Sequence, residues 1–129
     1  MADLLWVMLG CFAGGTSRYF VSGFVARRIG ETFPWGTLFI NVSGAFIIGL
    51  FAASANAHGW FADVSIWRLG VVGFLGSYTT VSSFGLQTLM LLRDGEVARA
   101  LGNVAASLCL CLLLAALGLF VGGWVFGLG

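Results

Sequence analysis

Lysine is absent from the 129 residues, and charge rests on six arginines and five acids. Charged residues are 9% of the chain, against about 25% in an ordinary soluble domain. So few cations cannot form the broad basic patch that nucleic acid requires, which excludes nucleic acid as a partner. Proline and histidine occur once each. Pro34 stands just before an apolar stretch, where its fixed φ and missing N–H suit a helix start. His58 falls in a connecting segment and is expected to be solvated. Three cysteines make no framework: Cys11 is alone, and Cys109 and Cys111 are two apart. On a helix that spacing turns the two thiols to different faces, so they do not share a metal and read as small packing groups.

Apolar residues dominate instead, at 60% of the chain with a mean hydropathy of +1.03. One core of a chain this short cannot hide that much apolar surface, so lipid must be its solvent. Four apolar segments can be drawn, at 4–26, 36–55, 66–92 and 98–126. Each has the roughly 20 residues a helix needs to cross about 30 Å of hydrocarbon. The short connections carry most of the charge: Arg27, Arg28 and Glu31; Asp63 and Arg68; Arg93, Asp94, Glu96 and Arg99. No linker or repeat interrupts residues 1–129, which read as one domain. Met8-Leu9-Gly10-Cys11 has the outline of a lipoprotein cleavage box. Asp3 and the absence of any preceding basic residue argue against a signal peptide, and the first span is expected to stay in the mature protein.

Glycine is plentiful, with 20 residues. Gly10, Gly14 and Gly15, then Gly44 and Gly49, then Gly118, Gly122 and Gly123, read as sites of close helix packing. A phosphate loop is excluded, because no strand precedes these glycines and the loop's lysine is missing. Four spans enclose little room for a pathway, so a functional site is expected between subunits, in a dimer at least.

Polar residues inside a span are costly and are the first functional candidates. Arg18, in Gly14-Gly15-Thr16-Ser17-Arg18-Tyr19, lies about 21 Å along the helix from Leu4. It either snorkels to the headgroups or lines a vestibule for an anion. Thr37 and Asn41 are four apart and share a helix face. They can donate to an ion, or bond across to another helix, and the residues alone favour the latter. The most unusual stretch is Gly73-Phe74-Leu75-Gly76-Ser77-Tyr78-Thr79-Thr80-Val81-Ser82-Ser83-Phe84. Its glycines and hydroxyls predict a helix broken near the middle of the third span. Broken backbone at membrane depth survives only where protein or a water-filled cavity satisfies it. The freed carbonyls are natural ligands for a monovalent cation. Asn103 and Ser107 form a further polar face on the fourth span. No Asp or Glu falls inside any span. Without an embedded acid, base or activated nucleophile there is no enzyme site.

At these residues the chain resembles the Fluc (CrcB) family of bacterial fluoride channels, through all four spans. The motifs are Gly14-Gly15-x-x-Arg18-Tyr19, then Phe33-Pro34-x-Gly36-Thr37-Leu38-x-x-Asn41-x-x-Gly44, then Gly73-Phe74-x-Gly76-x-x-Thr79-Thr80-x-Ser82-x-Phe84. The resemblance implies an all-α membrane protein that works as an antiparallel, dual-topology homodimer with two pores. It implies a passive, fluoride-selective channel of the bacterial inner membrane, letting fluoride leave the cytoplasm down its electrochemical gradient. Gly76 and Thr79 match positions whose backbone carbonyls hold a central structural sodium ion. Asn41 matches the pore amide, Arg18 the vestibule arginine, and Phe84 one of two phenylalanines whose ring edges line the fluoride path. Ring edges carry the positive end of the aromatic quadrupole, so they can stabilise an anion without a fixed charge. Thr80, Ser82 and Ser83, with Thr37 and Ser107, fit a polar track replacing lost hydration.

The chain also departs from the pattern. Val81 stands where the first pore phenylalanine is expected, Ser83 replaces a threonine, and Asn103 and Cys111 sit where other polar residues are expected. One alternative follows from Val81: this chain is half of a heterodimeric fluoride channel. A small four-span multidrug exchanger would need an acid in the first span, and a membrane scaffold would leave the polar clusters without a role. Topology divides the signals. Arg27, Arg28, Arg93 and Arg99 fall on one side and Arg68 alone on the other, a bias that would place both termini outside. Dual insertion calls for little bias, and the antiparallel homodimer is the expectation carried forward.

Overall fold

The computed structural model describes residues 2–30, 33–56 and 63–125. Glu31, His58 and the final residue of the fourth expected span, Phe126, lie outside them. The described chain is helical: α1 Ala2–Ile29, α2 Trp35–Asn56, α3 Val64–Trp67, a π-helical segment Arg68–Leu75, α4 Gly76–Tyr78, α5 Ser82–Arg93 and α6 Val97–Val125. Four stretches are long and apolar enough to cross a membrane: Asp3–Ile29, Trp35–Asn56, Val64–Arg93 and Val97–Val125. They agree with the expected spans to within three residues at each end, and the third is broken, as its glycines and hydroxyls predict.

The side chains are distributed inside out relative to a soluble bundle. Phe12, Phe20, Leu108, Leu112 and Phe120 are exposed, while the buried hydrophobic set is small. Since lipid tails are as apolar as leucine, nothing drives those side chains inward, and helices associate through close backbone packing. α2 lies along α6, and α1 along the π segment. A Cβ on Gly49 would sit 2.9 Å from Gly118 Cα, and one on Gly73 2.9 Å from Gly10 Cα, so only glycine permits either crossing. Gly15, also expected to pack closely, does not: among the described residues nothing lies within 4 Å of its would-be Cβ.

Helix ends follow local chemistry. Gly30 and Gly95 take φ of 103° and 79°, in the left-handed region that suits glycine. After α5 the N–H of Gly95 bonds the Leu92 carbonyl (3.1 Å) and that of Glu96 the Leu91 carbonyl (2.8 Å), the paired closure of a Schellman motif. Asp63 caps α3, its Oδ1 accepting from the N–H groups of Ser65 (2.9 Å) and Ile66 (3.3 Å). An ion pair between Asp3 and Arg68 ties the start of α1 to the start of the π segment. The π segment was not foreseen, because α and π helices share nearly the same dihedrals and the same apolar pattern. It is seen where the Gly76 N–H reaches back five residues to the Val71 carbonyl. Beyond it, Ile40, Leu75 and Tyr78 form a buried cluster with Val21, Ile47, Phe51 and Phe74 packed around it. The Tyr78 hydroxyl lies 3.0 Å from Ser43 Oγ, and its ring stacks on Phe74. This cluster fixes α4 against α2 immediately before the third span breaks.

Candidate functional site

The break occupies residues 79–81. Thr79 is extended, with φ −81° and ψ 161°, and Val81 is helical again at φ −95° and ψ −33°. Before the break, the Thr79 N–H and Oγ1 both donate to the Leu75 carbonyl, at 3.0 and 2.9 Å. Thr80 is then held by side chains. Its N–H donates to Asn41 Oδ1 and its carbonyl accepts from Asn41 Nδ2, both at 2.8 Å. Its own Oγ1 accepts from the Ser83 N–H at 3.2 Å and lies 3.1 Å from Ser82 Oγ. The Thr80 hydroxyl thereby caps α5, taking one of the amides that a helix start leaves without a partner.

These bonds redirect the helical ladder. In a continuous α-helix the N–H of residue 80 bonds the carbonyl of residue 76, and that of residue 83 the carbonyl of residue 79. Here those two amides go to side-chain oxygens of Asn41 and Thr80. The bonds withdrawn are those to the carbonyls of Gly76 and Thr79. Gly76 is exposed on the protomer surface and Thr79 is half-buried.

A cavity of about 810 Å³ opens beside the break, between α1, α2 and α5. Its polar lining comes from Arg18 and Ser22 on α1, Thr37 on α2, Thr80 in the break, and Ser83 and Gln87 on α5. Gly30, Pro34 and Asp94 line it at the helix ends. Thr37 and Thr80 are buried, and Arg18 and Ser83 half-buried. Arg18 therefore borders this cavity, on the side that α1 supplies. The structure brings Arg18, Thr37, Thr80 and Ser83 to one cavity and attaches Asn41 to it through Thr80.

Other expected residues lie elsewhere. Val81 is 82% exposed, Ser82 is exposed, and Phe84 is half-buried. None of these three, nor Gly76, Thr79 or Ser107, lines the cavity. Ser107 is on α6, and its Oγ is buried with no hydrogen-bond partner among the described residues. One turn earlier, Asn103 is 2% exposed and its Nδ2 donates to Thr88 Oγ1 at 2.8 Å. Thr88 Oγ1 in turn donates to the Phe84 carbonyl at 2.7 Å. This chain of bonds ties α6 to α5 behind Phe84.

Gln87 and Thr88 were missed by the sequence reading. Gln87 lines the cavity, and its Oε1 is buried without a hydrogen-bond partner among the described residues. The signal was present: Gln87 follows Ser83 by four positions, on the same helix face, in an otherwise apolar turn.

Comparison with known proteins agrees with the motifs. The family model described as CrcB-like protein, Camphor Resistance (CrcB), matches residues 5–119. The chain is 61% identical over 116 residues to fluoride-specific ion channel FluC 2 of Rhodopseudomonas palustris (strain BisB18), covering 89% of this chain and 88% of that protein. It is 58% identical over 113 residues to fluoride-specific ion channel FluC 2 of Bradyrhizobium diazoefficiens, covering 87% and 82%. Fluoride-specific ion channel FluC of Methylocella silvestris is 51% identical over 117 residues, covering 90% and 89%. With four membrane-crossing stretches, a broken third span and matches along nearly its whole length, this multi-pass membrane chain belongs to the CrcB family.

Proposed function

We propose that this chain is a passive, fluoride-selective ion channel, not an enzyme, in the bacterial cytoplasmic membrane. The observation that carries the reading is the cavity that joins Arg18, Thr37 and Ser83 to the side-chain-held break at Thr80. A guanidinium and several hydroxyls at the edge of a low-dielectric span can replace part of an anion's hydration. The relatives named as fluoride-specific channels supply the choice of anion. Asn41, Ser82, Phe84 and Ser107, which do not line the cavity, are assigned to the fluoride pathway on the family resemblance, with Val81 at the position of a missing ring.

Fluoride enters acid-exposed cells as hydrogen fluoride, which dissociates in the near-neutral interior. A membrane potential negative inside then drives the anion outward, with about 2.3 kcal/mol per charge per 100 mV. Export through a passive pore needs no coupled carboxylate, and no Asp or Glu lies within the spans away from their ends.

The functional unit is an antiparallel homodimer with a central structural sodium ion. Two observations support this. Gly76, Val81 and Ser82 leave the break exposed on one protomer, where lipid cannot satisfy polar groups and a second copy can. The carbonyls of Gly76 and Thr79 have lost their usual ladder amides, and a backbone-carbonyl donor set suits a monovalent cation. Sodium there would neutralise oxygen dipoles converging from both copies. A second reading, one half of a heterodimer, is favoured only by the exposed Val81 in place of a phenylalanine.

The test is release of fluoride from liposomes that contain only this purified chain, under an imposed potassium diffusion potential. Fluoride efflux far faster than chloride efflux is expected. Comparable chloride efflux sinks the selectivity, and silence toward both anions sinks the homodimeric channel.

A further inference from the structure

We infer that Asn41 is a positioning residue: by clamping both backbone groups of Thr80 it keeps the Gly76 carbonyl free for the cation and the break open beside the anion path. The inference rests on the proposed sodium site and deepens it. Asn41 and Thr80, 39 apart in sequence, exchange a reciprocal pair of bonds, each 2.8 Å long. One planar carboxamide serves both the donor and the acceptor of a single residue. Its orientation is fixed, because the Thr80 N–H can only donate and so must face Oδ1.

The consequence lies in the ladder. Were Asn41 to release Thr80, the natural partner of its N–H would be the Gly76 carbonyl, one helical turn back. The Thr80 carbonyl would likewise turn to the N–H of Phe84. At membrane depth neither group can stay unpaired, since hydrocarbon offers no hydrogen-bond partner. Loss of the clamp therefore drives the third span toward a continuous helix. That change removes an oxygen from the cation site and moves Thr80, which lines the cavity. Cation site and anion path are coupled through one side chain.

Asparagine is specified by this geometry. Ionised aspartate keeps an acceptor for the Thr80 N–H but has no donor for its carbonyl, and alanine has neither. A carboxamide also carries two N–H donors, of which the clamp uses one.

Two readouts separate these roles. The first is fluoride flux against sodium concentration, with N-methylglucamine as the replacement cation. The second is the carbonyl 13C resonance of Gly76 in detergent, with and without sodium. In the wild type both are expected to respond to sodium. Asn41→Asp should lower flux at least tenfold while its half-saturating sodium stays within twofold and the Gly76 shift persists. Asn41→Ala should raise the half-saturating sodium at least tenfold and abolish the Gly76 response. If Asn41→Ala gives too little flux to titrate, the resonance alone decides. A wild-type Gly76 response to sodium that survives in Asn41→Ala overturns the clamp and leaves the cation site standing. Wild-type indifference to sodium in both readouts defeats the cation site and the coupling with it.

Discussion

The methyl group of Thr79 rests in a notch left by Gly44: a Cβ on Gly44 would run into Thr79 Cγ2, with Tyr78 Cδ2 3.6 Å away. The last residue of the sequence motif on α2 thus sets the depth at which the broken span sits. Gly44→Ala should force Thr79 outward, at a cost of about 1–3 kcal/mol for overpacking. A fall in melting temperature and a several-fold loss of fluoride flux are expected. Gly102→Ala is the control, since nothing lies within 4 Å of that site on α6. Equal effects of the two substitutions would show that the notch does not matter.

Gly76 presents the opposite case. Among the described residues its Cβ would meet only the Val71 carbonyl, at an ordinary 3.8 Å. Gly76→Val should therefore leave the protomer helical by circular dichroism yet abolish flux and pairing, because in the proposed homodimer the obstacle is the second copy. Thr79→Ala should be milder, since its carbonyl remains. Undiminished flux in Gly76→Val would count against a central site at this residue.

Val81 and Phe84 test the ring-edge path. Val81→Phe should preserve or raise flux, its 82% exposure leaving space for the larger side chain within the protomer. Phe84→Ala should lower it. Flux unchanged in Phe84→Ala means that ring edges do not carry the anion in this chain.

Thr88 links Asn103 to the Phe84 carbonyl, and each bond can be removed with little change in shape. Thr88→Val strands the Asn103 amide, which is 2% exposed, and should destabilise by about 1–3 kcal/mol. Adding Asn103→Leu should recover part of that loss, because the stranded group is gone. Thermal melting in detergent measures both, and additive losses would mean that the two side chains act independently.

Topology is tested with reporter tags on the C-terminus, which should report both orientations in one membrane. The fold keeps Arg27, Arg28, Arg93 and Arg99 at the ends of α1 and α5 and the start of α6, opposite the Arg68–Asp3 ion pair. The four-to-one arginine bias is thus real in the structure. A single orientation with full flux would falsify the antiparallel homodimer.

Much of this was legible in the sequence for one reason: lipid imposes a length and a polarity on each span that composition alone reveals. Four apolar stretches with charges between them determined the helices and their boundaries. The run of glycines and hydroxyls between Gly73 and Phe84 determined that the third helix would break, since those residues disfavour a helix and offer its backbone other partners. Other facts depend on contacts far apart in the chain. Only the tertiary structure decided that Asn41 would spend its amide on Thr80, 39 residues away. It decided, too, that Gln87 would turn into the cavity while Ser107 turned away from it. The residues before the break widen into a π helix, with Gly73 set against Gly10. Periodicity records which residues share a face. It cannot record which face of a neighbouring helix they meet, because that is fixed only when backbones close to within a glycine's reach.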